Sequence, residues 1–287
     1  MNLVKSSVEI IPQEFGLSGV YKQIEIAART CYKSEDKICE GSAKRMVDFL
    51  IEKEHYSPLE HGTIYLKVPN GHGSIEWYNQ NPYSKVNTVG PYTYITTNAR
   101  VIMENDCTTD LKFMCEPTKH HEKRVTVRFK TQIAISREAN RHRSHSISEQ
   151  STRYCNYSKD KFDNSISVSL PTWINENNIK LCQGSNDLKS MCEDIASNET
   201  KWWTPLEYWL FANLVCEYSY MNLLKLGWTP EKARTILPLD THTEVVYTAF
   251  VSDWEHFFKL RTSNAAHPDI KELACSLQEQ FVIKGIV

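Results

Sequence analysis

Fourteen consecutive residues, Arg141 to Tyr154 (RHRSHSISEQSTRY), carry three arginines, two histidines, a glutamate and several hydroxyls. Arginine's planar fork matches phosphate oxygens two at a time and stays charged at any cellular pH. One phosphate needs one or two such groups, so three point to a ligand that is planar, phosphorylated and anionic at more than one place. A run this rich in charge is often only a solvated helix face. Against that, Val125 to Ile135 (VTVRFKTQIAI) just upstream alternates apolar and polar like a half-buried strand, so the basic run leaves the core directly. If the segment is helical and packed on that strand, Arg141, Ile147 and Ser151 cannot all face water. A nucleic-acid surface would need a broad basic stripe. The chain has 33 basic against 35 acidic side chains and a pI near 6.6, which fits a small anionic ligand better.

The elements that must position these residues follow from periodicity. Val20, Ile24, Ala27, Ala28 and Cys31 recur at helical spacing over 18–31, and Ala43, Met46, Val47, Leu50 and Ile51 repeat the pattern behind Ser42 as N-cap. Residues 63–68 alternate as a strand that Pro69-Asn70-Gly71 stops. A long connection over 69–91, a strand over 92–103 and a short helix over 105–115 follow. The 125–135 strand then leads into a helix carrying the basic signature. Residues 156–171 read as loop, and a helical stretch holds Met191 and Ile195. A long helix runs from Pro205 to Leu226 with Gly227 as its cap, and Pro230 starts the next. A strand over 241–251 and helices over 253–261 and 268–283 complete the chain. No G-x-G-x-x-G or regular βαβ rhythm is present, so the expected class is α+β, a small, mostly antiparallel sheet wrapped by helices. No linker divides the chain, which reads as one domain over 1–287.

The hydrophobic content of 41% suits a globular core, and no run approaches the roughly 20 apolar residues of a membrane span. The N-terminal stretch lacks a signal peptide's apolar segment, so a cytoplasmic address is expected, without membrane or nucleic-acid partners. Nine cysteines without a C-x-x-C pair read as reduced, mostly buried thiols. Cys155, the one nearest the signature, reads as a packing residue. His55 with His61, and His142 with His145, lack cysteine or carboxylate partners at ligand spacing, and the adjacent rings of His120 and His121 tend to diverge, so no metal is expected.

The signature Arg141-His142-Arg143 followed after seven residues by Ser151 resembles the RHR-x7-S motif of the flavin-dependent thymidylate synthases. The resemblance recurs in order along most of the chain. Ala28-Arg29-Thr30-Cys31-Tyr32 is similar to the family's early helix ending, and His55-Tyr56-Ser57-Pro58-Leu59-Glu60-His61 to its H-x-[ST]-P-[FL]-E-H element. Ala233 to Leu239 resembles its ARxxLPL element, and His256 to Arg261 the segment closing on its last essential arginine. The resemblance implies methylation of dUMP to dTMP, with methylenetetrahydrofolate as carbon donor, FAD as hydride source and carrier, NADPH as electron donor, and a homotetramer whose sites draw on several subunits. It implies that Arg153 and Arg234, helped by Arg141, hold the substrate phosphate, each charge-assisted pair contributing roughly 1.5–3 kcal/mol.

Glu138, Glu149, Gln150, Ser151 and Thr152 fall on further dUMP-binding positions. Arg261 falls where the family's arginine lies against the uracil ring, favouring its anionic form and pushing electron density toward C5. Ser151 has two readings, a nucleophile needing a positioned base such as His142 or His145, or a hydrogen-bond donor near the pyrimidine. The donor is preferred because the family is thought to work without a covalent enzyme adduct. His142, Arg143, Arg141, Glu149, Ser57, Glu60 and His256 match cofactor contacts, and His55 the folate side.

The resemblance fails in three places. Residues 70–123 form an insertion that minimal members lack. The glutamine common three residues before the signature is Glu138, a charge that Arg137 or Arg141 would have to offset. The Asn-x-Arg that touches the flavin nucleotide falls at Phe250 and Ser252, so Asn98 and Arg100 of Thr97-Asn98-Ala99-Arg100 are the expected substitutes. Two other readings of the same clamp remain open: an NADPH-dependent reductase or nucleotide hydrolase, and a nucleotide- or RNA-binding module whose catalytic site has decayed. Keeping Arg153, Arg234 and Arg261 buried with no ligand to pair would be costly, which weighs against decay.

Overall fold

The computed structural model describes residues 1–175, 177, 179 and 187–287. Two short strands, β1 (Asn2–Val4) and β2 (Ser7–Ile11), precede α1 (Gly16–Tyr32). α1 buries the expected face of Val20, Ile24, Ala27 and Ala28 and closes at Lys33 in a left-handed turn, φ 48°. α2 (Ser42–Glu52) follows, but its cap is Gly41, φ 70°, and not Ser42. The Ser42 hydroxyl donates to buried Glu25 (2.9 Å), whose other oxygen takes Arg29 (2.7 Å). A buried carboxylate needs those partners more than the helix end needs a cap.

After a 3₁₀ turn at Ser57–His61 comes β3 (Thr63–Pro69). Gly62 joins them where a Cβ would sit 2.7 Å from the Val20 and Ile24 side chains, so only glycine lets the turn cross α1 this closely. The expected connection over 69–91 is instead α3 (Ile75–Gln80) and β4 (Lys85–Val89). β5 (Tyr92–Asn98) stops short of 103, because the Asn98 side chain accepts the Val101 N–H (3.0 Å) and starts α4 (Ala99–Glu104). The expected helix at 105–115 is only a 3₁₀ turn, Thr108–Phe113. Strands β3, β5 and β4, in that order, form a three-stranded antiparallel sheet. Its Ile64, Leu66, Val68 and Ile95 share a core with α1 and α2.

β6 (Arg124–Gln132) ends three residues early at α5 (Ile133–Ala139). The signature is not a helix. Residues 140–145 turn, and β7 (Ser146–Glu149) pairs antiparallel with a later strand, Ser146 opposite Thr248 and Glu149 opposite Val245. Ser-Ile-Ser-Glu alternates with period two over only four residues, and the neighbouring strand supplies its hydrogen bonds. The 156–171 stretch holds one short strand, β8 (Ser167–Ser169), parallel to β1.

α6 (Leu188–Ala196) buries Met191 and exposes Ile195. α7 (Pro205–Lys225) opens with a Thr204/Glu207 capping box and ends before Gly227, φ 93°, as its composition suggests. α8 (Pro230–Ala233), β9 (His242–Phe250), α9 (Val251–Arg261) and α10 (Pro268–Ile283) complete the chain.

Strands β2, β6, β9 and β7, in that order, form an antiparallel sheet, so the α+β expectation holds. Val127, Phe129, Val245 and Tyr247 on one face pack against Trp254 and Phe257 of α9 and Phe281 of α10. On the opposite face Ser148 and Thr248 meet His61 of the Ser57–His61 turn. The arrangement leaves the α5–β7 turn and the end of α9 free to carry polar side chains beside a rigid sheet. No helix among the described residues is long and apolar enough to cross a membrane.

Candidate functional site

α5, the C-terminal end of β7 and the Arg234–Ile236 turn enclose a cleft of about 550 Å³. Its wall includes Ser136, Arg137, Glu149, Gln150, Ser151, Thr152, Arg234 and Thr235. Five of the expected substrate residues therefore share one cavity. Arg234 donates to the Thr152 hydroxyl (3.2 Å). Glu149 accepts from Ser136 (2.6 Å) and Thr243 (3.2 Å), so two hydroxyls hold its carboxylate in place. Gln150 is buried and its amide donates to Tyr157 (3.5 Å). The backbone N–H of Ser151 donates to the Cys31 carbonyl (2.9 Å), and its hydroxyl accepts the Arg153 N–H (3.3 Å). Neither His142 nor His145 bonds that hydroxyl among the described residues, so neither is placed as a base for it. Arg153 does not line the cleft; it is exposed and paired with Glu231 (2.8 Å).

Arg261 ends α9 in a second cluster. Its Nε donates to His142 Nε2 (3.1 Å), one terminal nitrogen to the Glu138 carboxylate (3.1 Å) and the other to the Glu138 carbonyl (2.7 Å). The charge of Glu138 is thus offset by Arg261, and not by Arg137 or Arg141. Accepting from Arg261 requires a neutral imidazole. Burial first, then the positive charge of Arg261, pushes His142 down to about 4. His145 packs against Trp254 with the rings tilted, centres 4.6 Å apart, and burial pushes it to about 3. Arg141 and Arg143 are exposed, and their side chains make no hydrogen bond or ion pair among the described residues. His256 is exposed with its ring 6.0 Å from His142. Neither Glu138 nor Arg261 lines the first cleft.

The Ser57–His61 turn forms a third group. His55 and Ser57 are exposed, while Glu60 is half-buried and accepts from Arg100 (2.7 Å). Arg100 also holds Glu104 (2.9 Å), and Asn98 spends its side-chain oxygen on the α4 cap. The insertion therefore touches the expected cofactor element through Arg100. His61 is fully buried between Thr248 (2.8 Å) and Ser148 (3.0 Å), and burial lowers it to about 3, a structural role. Phe250 is buried at the start of α9, and Ser252 donates to Glu122.

Sequence reasoning missed Arg124. Its guanidinium bonds the Glu60 carbonyl (3.0 Å), Thr63 (3.3 Å) and Ser146 (3.1 Å), tying the turn to β7. Burial lowers it to about 10, so it stays charged. An arginine at the first position of a core strand was the available signal. Cys155 is buried, and burial raises its thiol to about 11, which suits packing. Among the described residues no three His, Cys, Asp or Glu side chains gather as a metal ion would require. A further cleft of about 450 Å³ beside β2 and β3 is lined by Arg124 but by none of the expected site residues.

The chain matches the family model described as "Thymidylate synthase complementing protein" over residues 17–72 and 117–283. The unmatched stretch between them holds α3, β4, β5 and α4. A protein of Paramecium bursaria Chlorella virus 1, named "Probable flavin-dependent thymidylate synthase", is 27% identical over 158 residues, 55% of this chain and 66% of its own length. The flavin-dependent thymidylate synthase of Synechocystis sp. is 26% identical over 159 residues, 55% of this chain and 66% of its own. The chain spans just under two thirds of the length of these relatives. A UMP/dUMP methylase from Streptomyces cacaoi, solved with 5-Br dUMP, superposes with a TM-score of 0.42 at 18% identity, covering 98% of this chain and 92% of that one.

Proposed function

Because the chain belongs to the family of thymidylate synthase complementing proteins, we propose that it methylates dUMP to dTMP, using methylenetetrahydrofolate as carbon donor and FAD reduced by NADPH. The observation that carries this reading is the cleft uniting Arg234, Ser151, Thr152, Gln150 and Glu149. A dianionic phosphate meets guanidinium and hydroxyl donors there, while Glu149 and Gln150 offer acceptors to a sugar or base. Arg261, fixed by three hydrogen bonds, is the group that would stabilise negative charge on the uracil ring. Ser151 donates a hydrogen bond to the pyrimidine and forms no covalent bond with it.

FAD, when bound, supplies the hydride and carries the one-carbon unit. The residues fit it: Arg141 and Arg143 have no partners among the described residues and suit its diphosphate, and His142 is neutral and beside them. Glu149, Ser57, Glu60, Arg100 and His256 would complete its contacts, with Asn98 fixing the start of the helix that carries Arg100. His55 stands on the folate side. Arg100→Ala should weaken FAD binding about tenfold, the lower end for a charge-assisted contact; equal affinity by fluorescence titration would remove Arg100 from the cofactor site.

The chain acts as one domain over 1–287, with the insertion at about 70–123 touching the Ser57–His61 turn through the Arg100–Glu60 pair. The active unit is a cytoplasmic homotetramer with shared sites. Two features support assembly: Arg261 does not line the cleft that holds Arg234 among the described residues, and α7, rich in aromatic and aliphatic side chains, leaves Tyr208 and Tyr218 exposed. The test is an anaerobic assay with dUMP, methylenetetrahydrofolate, NADPH and FAD, following dTMP. Formation of dTMP is the expected result. Oxidation of NADPH or binding of dUMP without dTMP would instead mean a flavoprotein or nucleotide binder that kept the clamp.

A further inference from the structure

The cleft that takes the nucleotide has three charged residues on its wall, Arg137, Glu149 and Arg234. Without Arg137 one cation and one anion would cancel, leaving no net attraction for a phosphate that carries close to two negative charges. With it the wall is net positive. We propose that Arg137 is a further phosphate ligand, closing on the substrate opposite Arg234. The proposal rests on the reading of this cleft as the dUMP site.

Position and availability both support it. Arg137 is exposed, and its guanidinium makes no hydrogen bond or ion pair among the described residues, whereas Arg234 is tethered to Thr152, Arg153 is paired with Glu231 and Arg261 with Glu138. Its chain neighbours are held from both sides, Ser136 by Glu149 (2.6 Å) and Glu138 by Arg261 (3.1 Å). The end of α5 is fixed again at Asn140, which accepts from Tyr247 (2.8 Å). The backbone carrying Arg137 is therefore rigid. Only its side chain is left to move, and it stands at the mouth of a cavity rich in hydroxyl donors. A guanidinium placed this way can bond two phosphate oxygens at once, which a lysine cannot.

The experiment compares dUMP with deoxyuridine, identical but for the phosphate, by calorimetric titration of the FAD-loaded protein. Arg137→Ala should weaken dUMP about tenfold to a hundredfold, leave deoxyuridine within about twofold, and flatten the salt dependence of dUMP affinity. Arg137→Lys should recover part of the loss. Thermal melting should match the wild type, since the side chain has no hydrogen-bond or ion-pair partner among the described residues. Unchanged dUMP affinity in Arg137→Ala, or equal weakening of both ligands, would overturn the proposal while the proposed reaction stands. A wild-type protein that binds deoxyuridine as tightly as dUMP would instead overturn the reading of the cleft, and the role of Arg137 with it.

Discussion

Arg261→Ala should lower dTMP formation by roughly a hundredfold to a thousandfold at saturating dUMP, the loss typical of removing a preorganised donor at developing charge. Three bonds make the guanidinium preorganised, and one of them goes to a backbone carbonyl that cannot rotate away. Its side chain is 18% exposed, so water competes weakly for its remaining N–H groups. On the proposed reading the phosphate is held elsewhere, by Arg234 and the hydroxyls of the cleft, so dUMP binding should fall by about tenfold or less. That separation between turnover and binding is the mark of a group acting mainly on the reacting ring. Arg261→Lys should rescue little, because one ammonium cannot reach His142, the Glu138 carboxylate and the Glu138 carbonyl together. Single-turnover formation of dTMP with FAD prebound is the measurement. Wild-type rates in Arg261→Ala would end the claim that this residue activates uracil.

Stability should fall by about 5–6 kcal/mol between pH 8 and pH 5.5, enough to unfold a chain of ordinary stability. Burial is the first cause in each of five lowered histidines: it lowers His121, takes His61 and His145 to about 3, and takes His142 and His242 to about 4, and these last four carry the sum. The sign follows from linkage. Each ring is neutral in the folded chain well below the pH at which the unfolded ring, near 6.5, takes a proton, so the unfolded state binds more protons between those limits. The stabilisation is complete above about pH 6.5 and is lost as pH falls toward the folded values. One pH unit below 6.5 removes about 1.4 kcal/mol per ring. Urea unfolding at pH 8 and pH 5.5 measures the sum. His61→Gln keeps a neutral hydrogen-bonding side chain between Thr248 and Ser148, and should reduce the drop by about a quarter. Identical midpoints at the two pH values would mean that these rings are solvated.

Periodicity served where contacts are local. The helix face of Val20, Ile24 and Ala28 and the alternation of β3, β6 and β9 were readable, because side chains three, four or two apart meet wherever the chain goes. It failed at 69–91, where glycine, asparagine and proline punctuate a short helix and a strand instead of marking a loop. It failed again at the signature. Ser146 to Glu149 is too short to show its period, and its strand pairing comes from β9, about a hundred residues away.

The family, the chemical inventory and the five residues expected at the substrate that line one cleft were legible in the sequence itself, since residue types at fixed spacing survive any folding detail. Only the tertiary structure decided which charges are spent and which are free. Arg153 is occupied by Glu231, Arg261 by Glu138 and Arg100 by Glu60, while Arg137, Arg141 and Arg143 have no partners among the described residues. Those ion pairs span separations of 40 to 123 residues, and pairing at that range depends on how sheets and helices pack, which no local pattern of residues encodes.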